Sequence, residues 1–403
     1  MALVPLKNAV QHYAWGSRSM LPDLFGRMGD EEPIAELWMG AHRKAPRILL
    51  LPDGTVSLDL AISQDCDRWL GGAIAQRFQG EFPFLLKLLS AEKGLSIQAH
   101  PNKREAEIGF DRENRQEIPL DAPHRNYRDR NHKPELLVPL TEFYGLSGFR
   151  REEEIGSNLQ PLLEGARIGK GAVPSPEEAG LQEWFSRWMG LDESAKEALV
   201  AAALREIGEP RQDRDDPRWW VVELHRQFPG DFGVLSPLFL NLLHLQPGEG
   251  IFLSAGLLHA YLYGAGVEIM ANSDNVLRSG CTQKHVDPEE LLRVLTFRPG
   301  GVERVPPFPV APGIEIFRTP AEEFELLRIS SDGSTRRIER SATLRPPLLI
   351  VATDGQPTLF GEGLQELTLE PGESAYVTPG TAEVTMSGEG TVYCAAPAGG
   401  LYL

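Results

Sequence analysis

The sequence predicts a mainly β protein made of two small barrels, with a helical segment inserted into the first. Short apolar runs between Pro and Gly turns fill residues 1–149 and the chain from 229 onward. Residues 150–228 carry helix caps and helical spacing instead. We therefore expect a discontinuous first domain at 1–149 and 229–299, a helical insertion at 150–228, and a second β domain at 300–403.

The stretch 245–284 combines predicted strands with an unusual density of polar side chains. Turns at Gly248 and Gly256 bracket one short strand and lead into a second, a hairpin typical of cupin (jelly-roll) barrels, whose mouth holds a metal. His259 lies on the second strand and Glu268 on the next one. The loop that follows adds Asn272, Asp274, Asn275, Arg278, Thr282 and Lys284. These groups predict a site for an anionic, hydroxyl-rich ligand.

The same hairpin pattern recurs near the C-terminal end. The segment LQPGEGIFLSAGLLHAYLYG at 245–264 aligns without gaps with LEPGESAYVTPGTAEVTMSG at 369–388. A repeated supersecondary unit implies a repeated fold, so we expect two cupin-like barrels. Because His259 aligns with Glu383, a metal is expected only in the first barrel. The alternative is that Pro-Gly-Glu turns are simply common in β proteins.

The spacing of apolar residues predicts a helix and a strand before the hairpin. Helical spacing of Leu70, Ile74 and Phe78 predicts a helix over 65–79. A buried strand is expected at 84–89, followed by a turn and a returning strand.

The returning strand at 95–100 brings three polar side chains to one face. Alternate residues of a strand share a face, so Ser96, Gln98 and His100 point together, while Ile97 and Ala99 face the other way. Such groups need partners or water when they are buried. Gln98 and His100 are therefore candidate metal ligands.

The segment NHKPELL at 131–137 is a second polar island. Lys133 and Glu135 share one face if the chain is extended, and Pro134 removes a backbone donor, as at a sheet edge or a site. The alternative interpretation is a surface ion pair, which contributes little stability.

The insertion is predicted from caps and periodicity. Residues 175–178 (Ser-Pro-Glu-Glu) have the form of a capping box at the start of one helix. A second helix is expected from near Asp192 to Gly208. Residues 212–218 are expected to form a solvated loop, and a strand is expected from Leu235. Asp287 caps another helix by the same logic. The aromatic residues of the insertion are interpreted as core: Trp184, Phe185 and Trp188.

Composition excludes several classes of function. The formal net charge of −17 argues against nucleic acid or anionic membranes as partners. Three widely spaced cysteines do not form a disulfide framework, which indicates a reducing compartment. We find no signal peptide and no apolar run long enough to span a bilayer. The expectation is a soluble, cytoplasmic protein without an evident obligate protein partner.

Four candidate ligands from separate segments form one N/O set: Gln98, His100, Glu135 and His259. Such a set suits zinc, and less selectively other divalent transition metals. Two alternatives remain at this point. One is a cupin enzyme that holds Fe(II) and activates dioxygen, and the other is a non-catalytic sensor of sugar phosphates.

The sequence resembles the type I phosphomannose (mannose-6-phosphate) isomerase family over at least residues 8–297. The resemblance depends on LSIQAHPNK at 95–103, NHKPELL at 131–137 and LHAYLYGAGVEIMANSDNVLRSGCTQKH at 258–285, and more loosely on YAWG at 13–16. It implies that one zinc ion is held by Gln98, His100, Glu135 and His259. One departure is Gln283, which stands where the family usually has Pro.

The resemblance also implies a reaction and further roles. A base would move a proton between C2 and C1 of an open-chain sugar phosphate, and Arg278 would stabilise the enediolate. We expect the phosphate to be held by Ser96 and Lys133, with Lys284 in support. Trp15 is either a wall of the sugar pocket or a packed aromatic. Glu268 is the first choice for the base, with Asp274 and His132 as alternatives; Glu268 could instead pair with Arg278 or Lys284.

Overall fold

The computed structural model describes residues 3–26, 31–45, 47–169, 171–361, 365–381 and 383–401. The strands of the first part of the chain are β1 (Leu3–Lys7), β2 (Ala9–Gln11), β3 (Glu36–Gly40), β4 (Ile48–Leu51), β5 (Gly54–Ser57), β6 (Phe84–Ala91), β7 (Ile97–Ala99), β8 (Glu135–Pro139), β9 (Phe143–Phe149), β10 (Leu240–Leu245), β11 (Gly250–Leu253), β12 (His259–Ala271) and β13 (Leu277–Gly280). The later strands are β14 (Glu303–Val305), β15 (Phe308–Ala311), β16 (Ile314–Phe317), β17 (Glu325–Ile338), β18 (Leu348–Gly355), β19 (Thr358–Phe360), β20 (Leu367–Thr368), β21 (Ser374–Val377) and β22 (Val384–Ala396).

The helices lie mainly between β9 and β10. They are α1 (Met20–Leu24), α2 (Leu58–Gln64), α3 (Cys66–Leu70), α4 (Gly72–Arg77), α5 (Lys103–Arg115), α6 (Glu152–Gly165), α7 (Pro176–Ala179), α8 (Leu181–Met189), α9 (Glu193–Ile207), α10 (Pro217–Gln227) and α11 (Pro288–Val294), with a 3₁₀ helix at Phe232–Leu238. No helix among the described residues has both the length and the apolar character needed to cross a bilayer.

The first barrel has two antiparallel layers that share one long strand, β12. The start of β12, from His259, pairs with β7 and β9. Its second part, from Gly264, pairs with β6 and β8. The strand changes layers at Gly264, where φ is +120° and an added Cβ would lie 2.6 Å from the carbonyl oxygen of Glu142. Only glycine fits this corner, because other residues rarely adopt that conformation.

The second sheet confirms the predicted repeat of the fold. Strands β21 and β22 occupy the alignment positions of β11 and β12, and the sheet runs in the order β15-β16-β17-β22-β18-β21-β1-β4-β5. The protein is therefore mainly β with two cupin-like barrels, as predicted.

Sheet membership differs from the predicted division of the chain at the N-terminal end. Residues 1–149 were assigned to the first domain, but Leu3–Lys7 pairs with β21, and β4 and β5 extend the same sheet. The N-terminal strand β1 pairs with β21 of the C-terminal sheet. A pattern of local apolar runs cannot identify a strand partner so far away in the sequence. The domain boundaries themselves stay a prediction.

The helical insertion packs against the outer face of the β7–β9–β12 layer. Ile97 and Ala99, predicted to face away from the polar residues of their strand, lie in this cluster with Ala260. The aromatic residues of α8 are fully buried there, which confirms that they are core: Trp184, Phe185 and Trp188. The insertion therefore fixes the back of the layer whose other face carries the polar side chains.

Several local predictions hold and several are wrong. The helix from Asp192 to Gly208 is α9, and Asp287 caps α11 through the backbone N–H of Glu290. The helix predicted over 65–79 is broken into α3 and α4, because Gly71 adopts φ +81° between them. Ser175 makes no capping hydrogen bond and donates to Glu177 instead.

The boundaries around the insertion also differ from the predictions. The strand expected from Leu235 begins only at Leu240, after a 3₁₀ helix that contains Pro237. The loop expected at 212–218 ends earlier, because Asp216 caps α10.

Candidate active site

Three side chains with metal-ligating atoms meet in the first barrel. His100 follows β7, Glu135 begins β8 and His259 begins β12. The carboxylate of Glu135 lies 3.5 Å (Oε1) from Nε2 of His100 and 3.3 Å (Oε2) from Nε2 of His259. One atom from each residue lies within 4.8 Å of the others, and all three side chains are almost fully buried.

The rest of each imidazole ring is oriented by a backbone carbonyl. Nδ1 of His100 lies 2.7 Å from the carbonyl oxygen of Asn275, and Nδ1 of His259 lies 2.8 Å from that of Leu257. Each Nδ1 must therefore donate to its carbonyl, so in the neutral ring the free lone pair is on Nε2. Metal-binding histidines in proteins are commonly oriented by such outer contacts.

The inward-facing atoms of this group have no hydrogen-bond partner. Nε2 of His100, Nε2 of His259 and Oε2 of Glu135 are all buried and unsatisfied among the described residues. Buried polar atoms are normally satisfied, and leaving one unpaired costs about 1–3 kcal/mol. A divalent cation between them would satisfy all three atoms at once, so these residues fit a metal centre of the N/O type.

Local electrostatics keep the group in the protonation states that a metal requires. Burial, together with the positive charge of Lys133, lowers the pKa of His100 to about 4, so its ring is neutral. Burial works to raise the pKa of Glu135, but Lys133 and His100 outweigh it and hold that pKa well below its usual range. The neutral ring of His100 and the ionised carboxylate of Glu135 are therefore ready to bind a cation.

Gln98, the fourth predicted ligand, lies in the sheet directly beside this centre. Its backbone is opposite His259 in the β7–β12 pairing and opposite Arg278 in the β13–β7 pairing. The half-buried Gln98 therefore separates the metal-ligand group from the arginine. Ser96 lies just before β7 and is also half-buried.

Lys133 lies at the metal-ligand group. Its Nζ is 2.8 Å from Oε1 of Glu135, and the side chain is buried. The alternative of a surface ion pair is therefore wrong, since both partners are inside the protein.

Glu268 belongs to a buried ion network on the neighbouring strands. Its Oε2 is 2.8 Å from Nζ of Lys87, and its Oε1 accepts a hydrogen bond of 2.9 Å from the hydroxyl of Tyr261. Lys87 also contacts Glu36 at 3.2 Å. Burial works to lower the pKa of Lys87, but Glu268 and Glu36 raise it well above its usual value. Glu268 was expected to pair with Arg278 or Lys284. Its cation partner is Lys87 instead.

The sequence interpretation missed Lys87, although a signal was present. It is the one charged residue in the otherwise apolar strand Phe84–Ala91, which is buried along its whole length. A charged side chain is rarely placed in such a strand unless it is paired. Glu36 sits on the adjacent strand β3, in register beside β6, and its Oε2 accepts from the indole N–H of Trp38.

The remaining two candidates for the base have different partners. Asp274 lies 2.9 Å from Nζ of Lys44 and 3.6 Å from Nε2 of His42. Burial opposes ionisation of Asp274, but His42 and Lys44 hold its pKa far below the usual range. Nε2 of His132 lies 2.6 Å from Oε1 of Glu323, a residue of the C-terminal half.

Trp15 is half-buried and stacks on Tyr13, with ring centroids 5.7 Å apart. Burial raises the pKa of the Tyr13 hydroxyl, and Glu36 of the buried ion network contributes to the same shift. Tyr13 and Trp15 therefore lie on the side of the site where the Lys87 network is found.

A group of positive charges lies beyond Gln98, on the loop side of the site. Burial lowers the pKa of Arg278, and the nearby Arg128 lowers it further. Burial also lowers the pKa of Lys284, followed by the charges of Arg278, Lys44 and Arg128. Cations that lower one another's pKa create a local positive potential, which an anion would relieve.

Arg128 and Lys44 were not identified from the sequence. They come from two segments that carry no motif, and only the fold brings them to Arg278 and Lys284. The backbone N–H of Arg128 donates to Oδ1 of Asn275 at 2.7 Å, and the carbonyl of Asn275 contacts the ring of His100. The buried Asn275 thus connects this cation group to the metal-ligand group.

Comparisons with known proteins agree with this geometry. A profile of the phosphomannose isomerase type I catalytic domain matches residues 3–152. The chain is 41% identical over 394 residues to the mannose-6-phosphate isomerase of Escherichia coli (strain K12), covering 96% of this chain and 97% of that protein. It is 36% identical over 361 residues to the mannose-6-phosphate isomerase of Homo sapiens, covering 82% of each.

Solved structures give the same result. A zinc-bound crystal structure of mannose 6-phosphate isomerase matches with a TM-score of 0.88 and 37% identity, covering 98% of this chain and 100% of that one. Since identity above a third extends over nearly the full length of both chains, this chain belongs to the type I phosphomannose isomerase family.

Proposed function

We propose that this chain is a zinc-dependent aldose–ketose isomerase that interconverts mannose 6-phosphate and fructose 6-phosphate. The observation that carries the proposal is the meeting of His100, Glu135 and His259 with unsatisfied atoms facing one another. Similarity to isomerases over nearly the whole chain does not favour the alternatives of an oxygenase or a non-catalytic sensor.

The zinc ion would be held by Nε2 of His100, Nε2 of His259 and the carboxylate of Glu135, with Gln98 as the proposed fourth ligand. When bound, zinc supplies a Lewis acid that polarises the oxygens of the substrate. The neutral ring of His100 and the ionised carboxylate of Glu135 are the forms that bind a metal. Lys133, at 2.8 Å from Glu135, holds that carboxylate in place and adds positive charge for an anionic substrate.

Arg278 is placed to stabilise the negative charge that develops during isomerisation. It lies in register beside Gln98, between the metal-ligand group and the other cations. Its guanidinium keeps its charge at neutral pH and can donate several hydrogen bonds to an enediolate oxygen.

The phosphate of the substrate is proposed to bind at Arg128 and Lys284, because Lys44 is paired with Asp274 and Arg278 is assigned to the enediolate. Lys284 was expected in this role, and Arg128 now joins it. Lys133 is committed to Glu135, so its proposed role moves from the phosphate to the metal-ligand group. Ser96 and Trp15 remain proposed substrate contacts on their sequence motifs.

The base is proposed from the contacts of three candidates. Both carboxylate oxygens of Glu268 have partners, and Asp274 is paired with Lys44 and His42. His132 uses only Nε2, in its contact with Glu323, and no hydrogen bond to its Nδ1 is found among the described residues. A base needs a free lone pair, so these contacts favour His132 over the sequence-based choice of Glu268.

We further propose that the enzyme acts in the cytoplasm on a small sugar phosphate, without nucleic acid, a membrane or an obligate protein partner. The net charge of −17 supports this proposal, because a strongly acidic protein repels polyanions outside its local basic site.

Removal of the metal tests the proposed function. We expect the parent protein to convert mannose 6-phosphate to fructose 6-phosphate, dialysis against chelator to lower the rate by at least about 100-fold, and added zinc to restore it. His100→Ala should lose both zinc and activity. The control is His244→Ala, which removes a partly exposed histidine outside the site. A coupled assay with metal analysis measures both quantities, and full activity in the zinc-free protein would refute the proposal.

Substitution of Arg128 tests the phosphate site. We expect Arg128→Ala to raise KM for mannose 6-phosphate by about tenfold or more, since one charge-assisted hydrogen bond contributes about 1.5–3 kcal/mol. Competitive inhibition by inorganic phosphate should weaken in parallel. Arg130→Ala is the matched control, because Arg130 is an exposed arginine paired with Asp111. Equal KM values in the two variants would place the phosphate elsewhere.

Paired substitutions test the base. We expect His132→Gln to lower kcat by about 100-fold or more, and Glu268→Gln to lower it by less than about tenfold, since a general base contributes about 10²–10⁴-fold. Zinc content, measured on both variants, should stay at one ion per chain. The reverse order of the two effects would assign the base to Glu268.

A further inference from the structure

The C-terminal half of the chain reaches the active-site segment through one carboxylate. Glu323 lies in the connection between β16 and β17, and its Oε1 is 2.6 Å from Nε2 of His132. His132 directly precedes Lys133, whose Nζ contacts the proposed zinc ligand Glu135. The second barrel, which carries none of the proposed metal ligands, therefore contacts the segment that lines the metal-ligand group.

Glu323 is held firmly by its neighbours. Ala321 and Phe324 are buried in the core cluster that also contains Leu136 and Val138, the strand residues that follow Glu135. On the other side, the guanidinium of Arg77 donates to the carbonyl oxygen of Glu322 at 2.9 Å. The connection is therefore anchored in the same core cluster as the strand that presents the zinc ligand.

The segment that carries His132 is held by other contacts. Asn131 accepts from Nζ of Lys103 at 3.0 Å and donates to the carbonyl oxygen of Asn272 at 3.2 Å. The ring of His132 depends on Glu323 alone, since no other side-chain hydrogen bond to it is found among the described residues. Removal of the carboxylate would free the ring without releasing the backbone on either side.

The environment of Glu323 is costly for a residue that serves stability alone. Its side chain is only 11% exposed, and its second oxygen, Oε2, is buried without a partner among the described residues. Burial works to raise its pKa, but the hydrogen bond and charge of His132 outweigh this and lower it. An ionised, half-satisfied carboxylate in such a place indicates a functional reason for it.

The chemistry of the pair follows from which nitrogen it uses. A carboxylate accepts a hydrogen bond from Nε2–H of the imidazole, so the neutral ring must carry its proton on Nε2 and keep the lone pair on Nδ1. This hydrogen bond leaves the lone pair of Nδ1 on the neutral ring of His132 free to accept a proton.

We propose that Glu323 is a positioning residue of the isomerase, supplied by the C-terminal barrel, which fixes the tautomer and orientation of His132. This inference rests on the proposed function and on the role of His132 in it. It assigns to the second barrel a part in the reaction: the second barrel places the carboxylate behind the ring that moves the proton.

Kinetics of a conservative variant test the proposal on the zinc-loaded, full-length protein. We expect Glu323→Gln to lower kcat by about tenfold, by analogy with the outer partners of metal ligands, whose loss costs about 10–100-fold. KM for mannose 6-phosphate should change by less than about threefold, because no substrate contact is lost. Zinc content and the midpoint of thermal unfolding should match the parent. The control is Glu322→Gln, which removes an exposed carboxylate one residue away and should leave all four quantities unchanged.

A spectroscopic readout keeps the test independent of turnover. With ¹⁵N-labelled histidine, and with His132→Gln to assign the signal, the zinc-loaded parent should show His132 protonated at Nε2 and not at Nδ1 near neutral pH. This preference should weaken in Glu323→Ala, which has no side-chain acceptor for Nε2–H. Observation of the Nδ1–H tautomer in the parent overturns the proposal whatever the activity.

The kinetic outcomes separate this proposal from the proposed function. If the parent isomerises mannose 6-phosphate and Glu323→Gln keeps kcat within about twofold, only the role of Glu323 is overturned. If kcat falls in proportion to lost zinc or lost folded protein, Glu323 is merely structural and the proposal is again overturned. A zinc-loaded parent without isomerase activity overturns the proposed function and this inference together.

Discussion

Three buried atoms that face one another without hydrogen-bond partners are the constraint on which the rest of this structure depends. Nε2 of His100, Nε2 of His259 and Oε2 of Glu135 would each cost stability if left alone, and a shared cation removes that cost. The fold holds them together through β12, which begins at His259 and pairs with β7 and β8. Gly264 permits the change of layer in β12, and the helical insertion packs behind it. These elements bring the three atoms together without a bound ligand.

The two barrels act as one body around this site. Their apolar faces share one core cluster, which contains Phe317 and Phe324 of the C-terminal half and Leu136 and Val138 of the first barrel. The N-terminal strand strengthens the connection, because Leu3–Lys7 belongs to the C-terminal sheet. A displacement of either barrel would therefore disturb the strand that begins with Glu135. This shared packing gives a physical reason why the second barrel is present in a chain whose proposed metal ligands all lie in the first.

The sequence was most informative where chemistry and periodicity coincide. Alternation on the strand before His100 placed Gln98 and His100 on one face, and the hairpin repeat predicted the second barrel. Local signals were overlooked in other places: Asn102 and Glu105 form a capping box that starts α5, a helix that was not predicted. The partners of Lys87 and Arg128 could not be identified from the spacing of residues, because those partners lie on other segments. Only the folded chain brings them together. Glu323 is the extreme case, since its partner is 191 positions away.

The location of the zinc ion tests this account most directly. Anomalous diffraction from crystals of the active, zinc-loaded enzyme, recorded at the zinc absorption edge, gives that location without reference to activity. The account predicts one strong peak between His100, Glu135 and His259, at about 2.0–2.1 Å from each Nε2. A fully active crystal form whose anomalous peak lies elsewhere, or which shows no peak at these three residues, would contradict it.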